Sequence, residues 1–227
     1  MNTAWRAAMG SETATVQANE ECERPKESRR MARKQAARHH PTGRGASDGG
    51  QARDALTIRM AKQTDGSVVL SCRRADGTTT WQRNEGSKAR FFWVHDLTHY
   101  AVETTLDRRQ SFYGLVASGW DLSDFGTPWP RGPLPPGADV TEVIVGVLDR
   151  ERVAGVETTA ADLNAQVGQY LAARAPEQGE EARVVVTEEQ LVRIRATLGE
   201  LIARWYALPA GGALELPFPA GSGGAGA

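Results

Sequence analysis

Residues 56 to 83 read LTIRMAKQTDGSVVLSCRRADGTTTWQR, and the two Asp-Gly pairs in that stretch decide the fold. Around them lie three short segments, Leu56 to Lys62, Ser67 to Arg74 and Thr78 to Arg83. Ile58 and Met60 alternate with Thr57 and Arg59, and Val68, Leu70 and Cys72 alternate with Val69, Ser71 and Arg73. Period-two alternation puts apolar side chains on one face of a strand. Asp65-Gly66 and Asp76-Gly77 accept the positive φ angles of tight hairpin turns. The stretch therefore predicts a three-stranded antiparallel meander with one apolar face. A sheet this small is marginal alone, so it must pack on a helix.

That helix follows directly. Lys88 to about Asp107 contains neither Gly nor Pro, and Ser87 is placed to cap it. Residues 108 to 140 then alternate Gly and Pro with Phe112, Tyr113, Trp120, Phe125 and Trp129. A loop of that length is packed or functional, because bare ones are uncommon. From Val140 to Asp149 the apolar run Val143 to Leu148 suits a helix or a buried strand. Thr159 opens a helix to about Arg174, and Glu177 to Glu181 form an acidic linker. Thr187 to Gln190 resembles a capping box. It starts a helix to about Tyr206 with Leu191, Ile194, Leu198, Leu201, Ile202 and Trp205 in a stripe. Ala213 to Phe218 alternates as a short last strand closed by Pro219. The expected fold is α+β, the meander on its long helix with further helices behind and the short strand at the end.

Residues 54 to 218 form the expected single domain. Residues 1 to 53 hold few branched apolar side chains and are expected to be a disordered basic tail, as is the Ala/Gly/Ser tail 219 to 227 without the charge. Met31 and Met60 are alternative starts. Arg24, Lys26, Arg29, Arg30, Arg33, Lys34, Arg38 and Arg44 could touch nucleic acid weakly; a solvated tail is the preferred reading. Over the whole chain 27 basic and 28 acidic residues nearly cancel, so no nucleic-acid or membrane bias follows. The longest apolar run falls far short of a membrane span. Two cysteines, one in the tail and one on a strand, argue for a reducing compartment, and no secretory signal opens the chain. The cytoplasm is the expected location.

One constellation can carry chemistry. The long helix reads His95-Asp96-Leu97-Thr98-His99-Tyr100-Ala101-Val102-Glu103. At about 100° per residue, positions 95, 99 and 103 fall within roughly 80° of one another. Two imidazoles one turn apart can reach one ion from a single helix. Glu103 is then the expected third ligand, leaving an open position, with Asp96 as general base or orienting group. Phe91, Phe92, Val94, Val102 and Leu106 share the histidine face, which points it toward the core. A buried polar network, each histidine with its own partners, is the competing reading. Glu142 and Asp149 are further candidate ligands from a later element, or solvated helical carboxylates. Ser111 has no visible activating base, and Cys72 is expected to be a small core residue.

The motif resembles the zincin metallopeptidase helix, with Asp96 where that family carries Glu, and a sheet leading into the motif helix is similar to that architecture. The doublet His95-Asp96 also resembles the metal-binding pair of HD-type phosphohydrolases, which add an earlier helical histidine. A third likeness is to a ubiquinone-biosynthesis family with a His-Asp-x-x-His zinc motif and a glutamate twelve residues on, where this chain has Ser111. From Phe92 through Gly119 the chain is similar to uncharacterised bacterial proteins in which a His-Asp-Leu-x-His-Tyr helix precedes an aromatic-Gly-Leu segment. The first and third resemblances imply zinc, the second a metal ion, and the first two a hydrolase; the last covers about a fifth of the chain and implies no particular activity. The expectation from a different class is a non-enzymatic interaction module, with the aromatic loop as its contact surface.

Overall fold

The computed structural model describes residues 54–126, 131–132, 134–135, 137–174 and 184–219. The expected tail 1 to 53, all but Pro219 of the expected tail 219 to 227, the acidic linker Glu177 to Glu181, and Trp129 lie outside the described residues. Strands β1 (Asp54–Lys62), β2 (Val68–Arg74) and β3 (Thr79–Asn84) form the expected meander. Strand β4 (Ala213–Pro219) adds to the free edge of β1, giving an antiparallel sheet in the order β3-β2-β1-β4. Its last residue is Pro219, paired with Asp54, so the strand runs one residue past the expected domain end. A proline serves there because β4 is an edge strand, where a missing N–H breaks no ladder.

The alternation sorts side chains as anticipated. Leu56, Ile58, Met60, Leu70, Cys72 and Phe218 are fully buried on one face, while Arg59, Arg73 and Trp81 stand exposed on the other. At roughly 1.5–3 kcal/mol for each large aliphatic or aromatic side chain removed from water, this face drives the sheet onto the helices. Lys62 fastens one corner. Its Nζ donates to the carbonyls of Trp205 (2.9 Å) and Leu208 (3.0 Å) and lies over the Trp205 ring.

Five α-helices occur among the described residues: α1 (Gly86–Thr105), α2 (Phe112–Ala117), α3 (Ala138–Ala154), α4 (Ala160–Arg174) and α5 (Glu188–Ala207). Helix α1 starts two residues earlier than expected, with Glu85 at the N-cap and no side-chain cap bond, so Ser87 is not the cap. The first helical bond is already made from the Ala89 N–H to the Glu85 carbonyl. Strand β3 ends on Asn84, and Gly86 at φ +55° turns the chain straight into the helix. The capping box of α5 is present, with Gln190 N–H on Thr187 Oγ1 and Thr187 N–H on Gln190 Oε1. Leu191, Ile194, Leu198, Leu201 and Trp205 form its buried stripe.

The long aromatic loop is not a loop throughout. It contains α2 and a 3-10 turn at Leu122–Phe125, both packed into the domain. The ambiguous run Val143 to Leu148 is helical and lies inside α3. Helix α1 is buried on nearly all sides from Val94 to Glu103, because α3 and α5 both pack on it and the sheet lies alongside. Trp93 stacks on Trp205 of α5, and Tyr100 donates from its hydroxyl to the Pro217 carbonyl of β4. A helix in the middle of a domain that still carries two histidines and two carboxylates must satisfy them internally. No helix among the described residues is long and apolar enough to cross a membrane.

Candidate metal centre

Two helices build the centre. Helix α1 presents His95 and His99 one turn apart, with ring centroids at 4.9 Å. Helix α3 presents Glu142 and Asp149, seven residues or almost two full turns apart and so on one face. Asp149 Oδ2 lies 2.7 Å from His95 Nδ1. Glu103 Oε1 lies 3.1 Å from His99 Nδ1, and Glu142 Oε1 lies 3.3 Å from His99 Nε2. One ligand atom each from His95, His99 and Glu142 falls within 4.8 Å of the others, so these three residues could hold a metal ion. Both histidines are buried, whereas the Glu142 side chain keeps 21% of its surface exposed and marks the solvent side of the group.

The expected ligands are therefore placed unequally. His95 and His99 come together as the spacing implies. Glu103 stays with His99 but lies at Nδ1, and the carboxylate at the convergence point is Glu142. The other oxygen of Glu103, Oε2, accepts from the backbone N–H groups of Tyr113 (3.0 Å) and Gly114 (3.2 Å). Asp96 is buried, and among the described residues its Oδ2 has no hydrogen-bond partner.

Four carboxylates, Asp96, Glu103, Glu142 and Asp149, surround the two imidazoles. Burial works against a charge on His99, but Glu142 and Glu103 outweigh it and hold its pKa well above the ordinary value. The same attraction lowers Glu142 against the opposing effect of burial. Burial pushes Asp96 up to about 7, with His99 opposing and Asp149 and Glu142 reinforcing the rise. Glu103 is raised by burial although His99 and the Gly114 N–H favour its ionised form. Among the described residues, an Arg152 Nη lies 3.8 Å from Asp149 Oδ1. Buried charge of one sign is costly unless something compensates it.

Aromatic rings flank the imidazoles. Phe91 stacks on His95 at 5.2 Å and Phe92 meets the same ring edge-on at 5.9 Å. Phe112 of α2 leans on His99 at 5.2 Å, Phe125 on Phe112 at 4.8 Å, and Trp120 on Phe125 at 5.5 Å. Ser111 is tied to Thr141, Oγ to Oγ1 at 2.6 Å. Cys72 is a fully buried core residue whose thiol pKa is pushed far up, first by burial and then by Asp96. Comparison with family models, with curated proteins and with solved structures returned no match to this chain.

Proposed function

We propose that this chain is a metal-binding protein of the zinc-dependent hydrolase kind, with His95, His99 and Glu142 as ligands and Asp96 as the base. The observation that supports the reading is the convergence of those three ligand atoms within 4.8 Å from two packed helices. Two imidazoles and one carboxylate make the ligand set of many catalytic zinc sites, which keep a fourth position open. In this reading Glu142 takes the place that the helical spacing gives to Glu103. When bound, the ion supplies Lewis acidity and an acidified water. Glu142 opens that position toward solvent, and the aromatic rings beside His95 and His99 limit how much water enters. Asp96, with a pKa near 7 and a buried oxygen not otherwise engaged, is suited to take up a proton at neutral pH.

A second reading has one observation of its own. His99 already has a carboxylate at each ring nitrogen, which a self-contained buried network inside an interaction module also requires. Metal content of the untagged protein separates the two. The hydrolase reading expects near-stoichiometric zinc or a related divalent ion, absent after His95→Ala with His99→Ala. Metal-free protein that refuses added zinc and keeps its stability in the double variant leaves the interaction module. Given bound metal, Asp96→Asn should abolish hydrolysis of nitrophenyl ester or phosphate probes while the ion stays; loss of the ion instead makes Asp96 a ligand.

A further inference from the structure

The two histidines are held by the same device, and the metal reading above uses neither half of it. His95 meets Asp149 through Nδ1, and His99 meets Glu103 through Nδ1. In each case the carboxylate is buried, and it contacts the ring nitrogen nearer the backbone. A neutral imidazole, the form that binds a metal, carries its lone pair on Nε2 when it donates from Nδ1, and a fixed Nδ1 bond also fixes the ring about χ2. For His99 that nitrogen is the one facing Glu142, at 3.3 Å.

Each carboxylate is itself anchored. Asp149 sits on α3, two turns from Glu142, so one rigid helix delivers both the proposed carboxylate ligand and the group that orients His95. Glu103 sits on α1 one turn after His99, and its second oxygen accepts the Tyr113 and Gly114 N–H groups at the start of α2. Gly114 permits that approach because a Cβ there would stand 2.1 Å from the Arg109 carbonyl oxygen. A carboxylate accepting three hydrogen bonds has little freedom to rotate toward an ion.

We propose that Glu103 and Asp149 are positioning residues, paired carboxylates that lock His99 and His95 in the tautomer and orientation presenting Nε2 toward Glu142. The proposal rests on the metal reading and deepens it. It assigns Glu103 a place behind the ligand rather than on the ion, and it gives Asp149 a role distinct from that of Glu142. Outer carboxylates of this type typically change metal affinity 10- to 100-fold when removed.

The test titrates cobalt(II) into chelator-stripped, untagged full-length chain and reads both affinity and the visible spectrum of the bound ion. Glu103→Gln and Asp149→Asn keep size and shape; Asp149→Ala removes the partner of His95 altogether. The expected result is binding weakened roughly 10- to 100-fold in Glu103→Gln and Asp149→Ala, with an altered cobalt spectrum. Asp149→Asn should recover much of the loss, because an amide oxygen still accepts from Nδ1. A merely structural role would lower the unfolding midpoint and leave the spectrum of the folded fraction unchanged. Should Glu103→Gln not fold, the two Asp149 variants decide alone. Wild-type affinity and spectrum in all folded variants would overturn the positioning role while leaving the metal site intact. Wild-type protein that binds no cobalt defeats the metal reading itself, a separate outcome.

Discussion

His99 Nε2 and Glu142 Oε1 stand 3.3 Å apart, joining α1 to α3 through the interior of the domain. The pair is the hinge between the two readings of the site, because it is either two ligands of one ion or an ion pair in its own right. Glu142→Ala is expected to lower zinc or cobalt affinity by more than the roughly 100-fold upper range for outer carboxylates, since it removes a direct ligand. Isothermal titration with the untagged protein measures it. A variant that binds as the parent does would take Glu142 out of the metal set.

Asp96 makes a prediction about the metal-free protein. Its pKa is raised in the folded chain to about 7 by burial, so the folded state holds a proton that the unfolded state releases near the ordinary aspartate value of 3.8. Folding stability is then reduced as pH rises between those values, by on the order of a few kcal/mol at most above pH 7. Asp96→Asn fixes the group in its neutral form. Chelator-stripped Asp96→Asn should unfold at a higher temperature than the parent at pH 8 and at nearly the same temperature at pH 4. Equal midpoints at both pH values would show that Asp96 does not carry a buried charge.

How much of this was legible in the chain follows from where each residue sits. The meander and the motif helix could be read because Asp65-Gly66 and Asp76-Gly77 are local signals, as is the two-residue alternation between them. His95 and His99 were legible because their spacing is a property of one helix. Glu142 was harder. The run Val143 to Leu148 fits strand and helix equally, and residues seven apart lie on opposite faces of a strand but on one face of a helix. Only the helical choice places Glu142 and Asp149 together, and the helix is settled by its packing on α1. The position of Glu103 at His99 Nδ1 was hidden for a related reason. Angular position puts it on the histidine face, but the α2 N–H groups that hold its second oxygen come from ten and eleven residues further on.

Gly114 is the tightest backbone contact near the centre. A Cβ there would lie 2.1 Å from the Arg109 carbonyl oxygen and 2.7 Å from its Cα, both backbone atoms that no rotamer change can relieve. Gly114→Ala should therefore destabilise the domain by about 3 kcal/mol or more, at the upper end for overpacked sites. It should also displace the N–H that Glu103 accepts. Urea denaturation of the chelator-stripped variant measures the first effect, and a midpoint within error of the parent would show that α2 shifts freely.

Away from the centre, Glu151 near the end of α3 and Arg195 of α5 form a two-pronged pair. Oε1 lies 2.8 Å from Nε and Oε2 2.8 Å from an Nη, and the Thr158 N–H donates to Oε2 at 2.9 Å. Burial alone would raise the Glu151 pKa, but the Arg195 hydrogen bond and charge and the Thr158 N–H together lower it below its usual 4.5. A carboxyl with a lowered folded pKa binds its proton less readily when folded than when unfolded. Its stabilising contribution is full above pH 4.5 and is lost as pH falls through the lower folded value. Both side chains are largely shielded from solvent, so the pair should contribute about 1.5–3 kcal/mol, the range for hydrogen bonds to charged groups. Arg195→Met should thus destabilise the protein at pH 7 by that amount and leave a smaller difference from the parent at pH 3. Arg195→Lys should recover only part, since an ammonium cannot make both bonds in the same plane. Urea midpoints at the two pH values measure the effect. A difference between parent and Arg195→Met that does not shrink at pH 3 would mean that packing of the arginine stem, rather than its charge, joins α3 to α5.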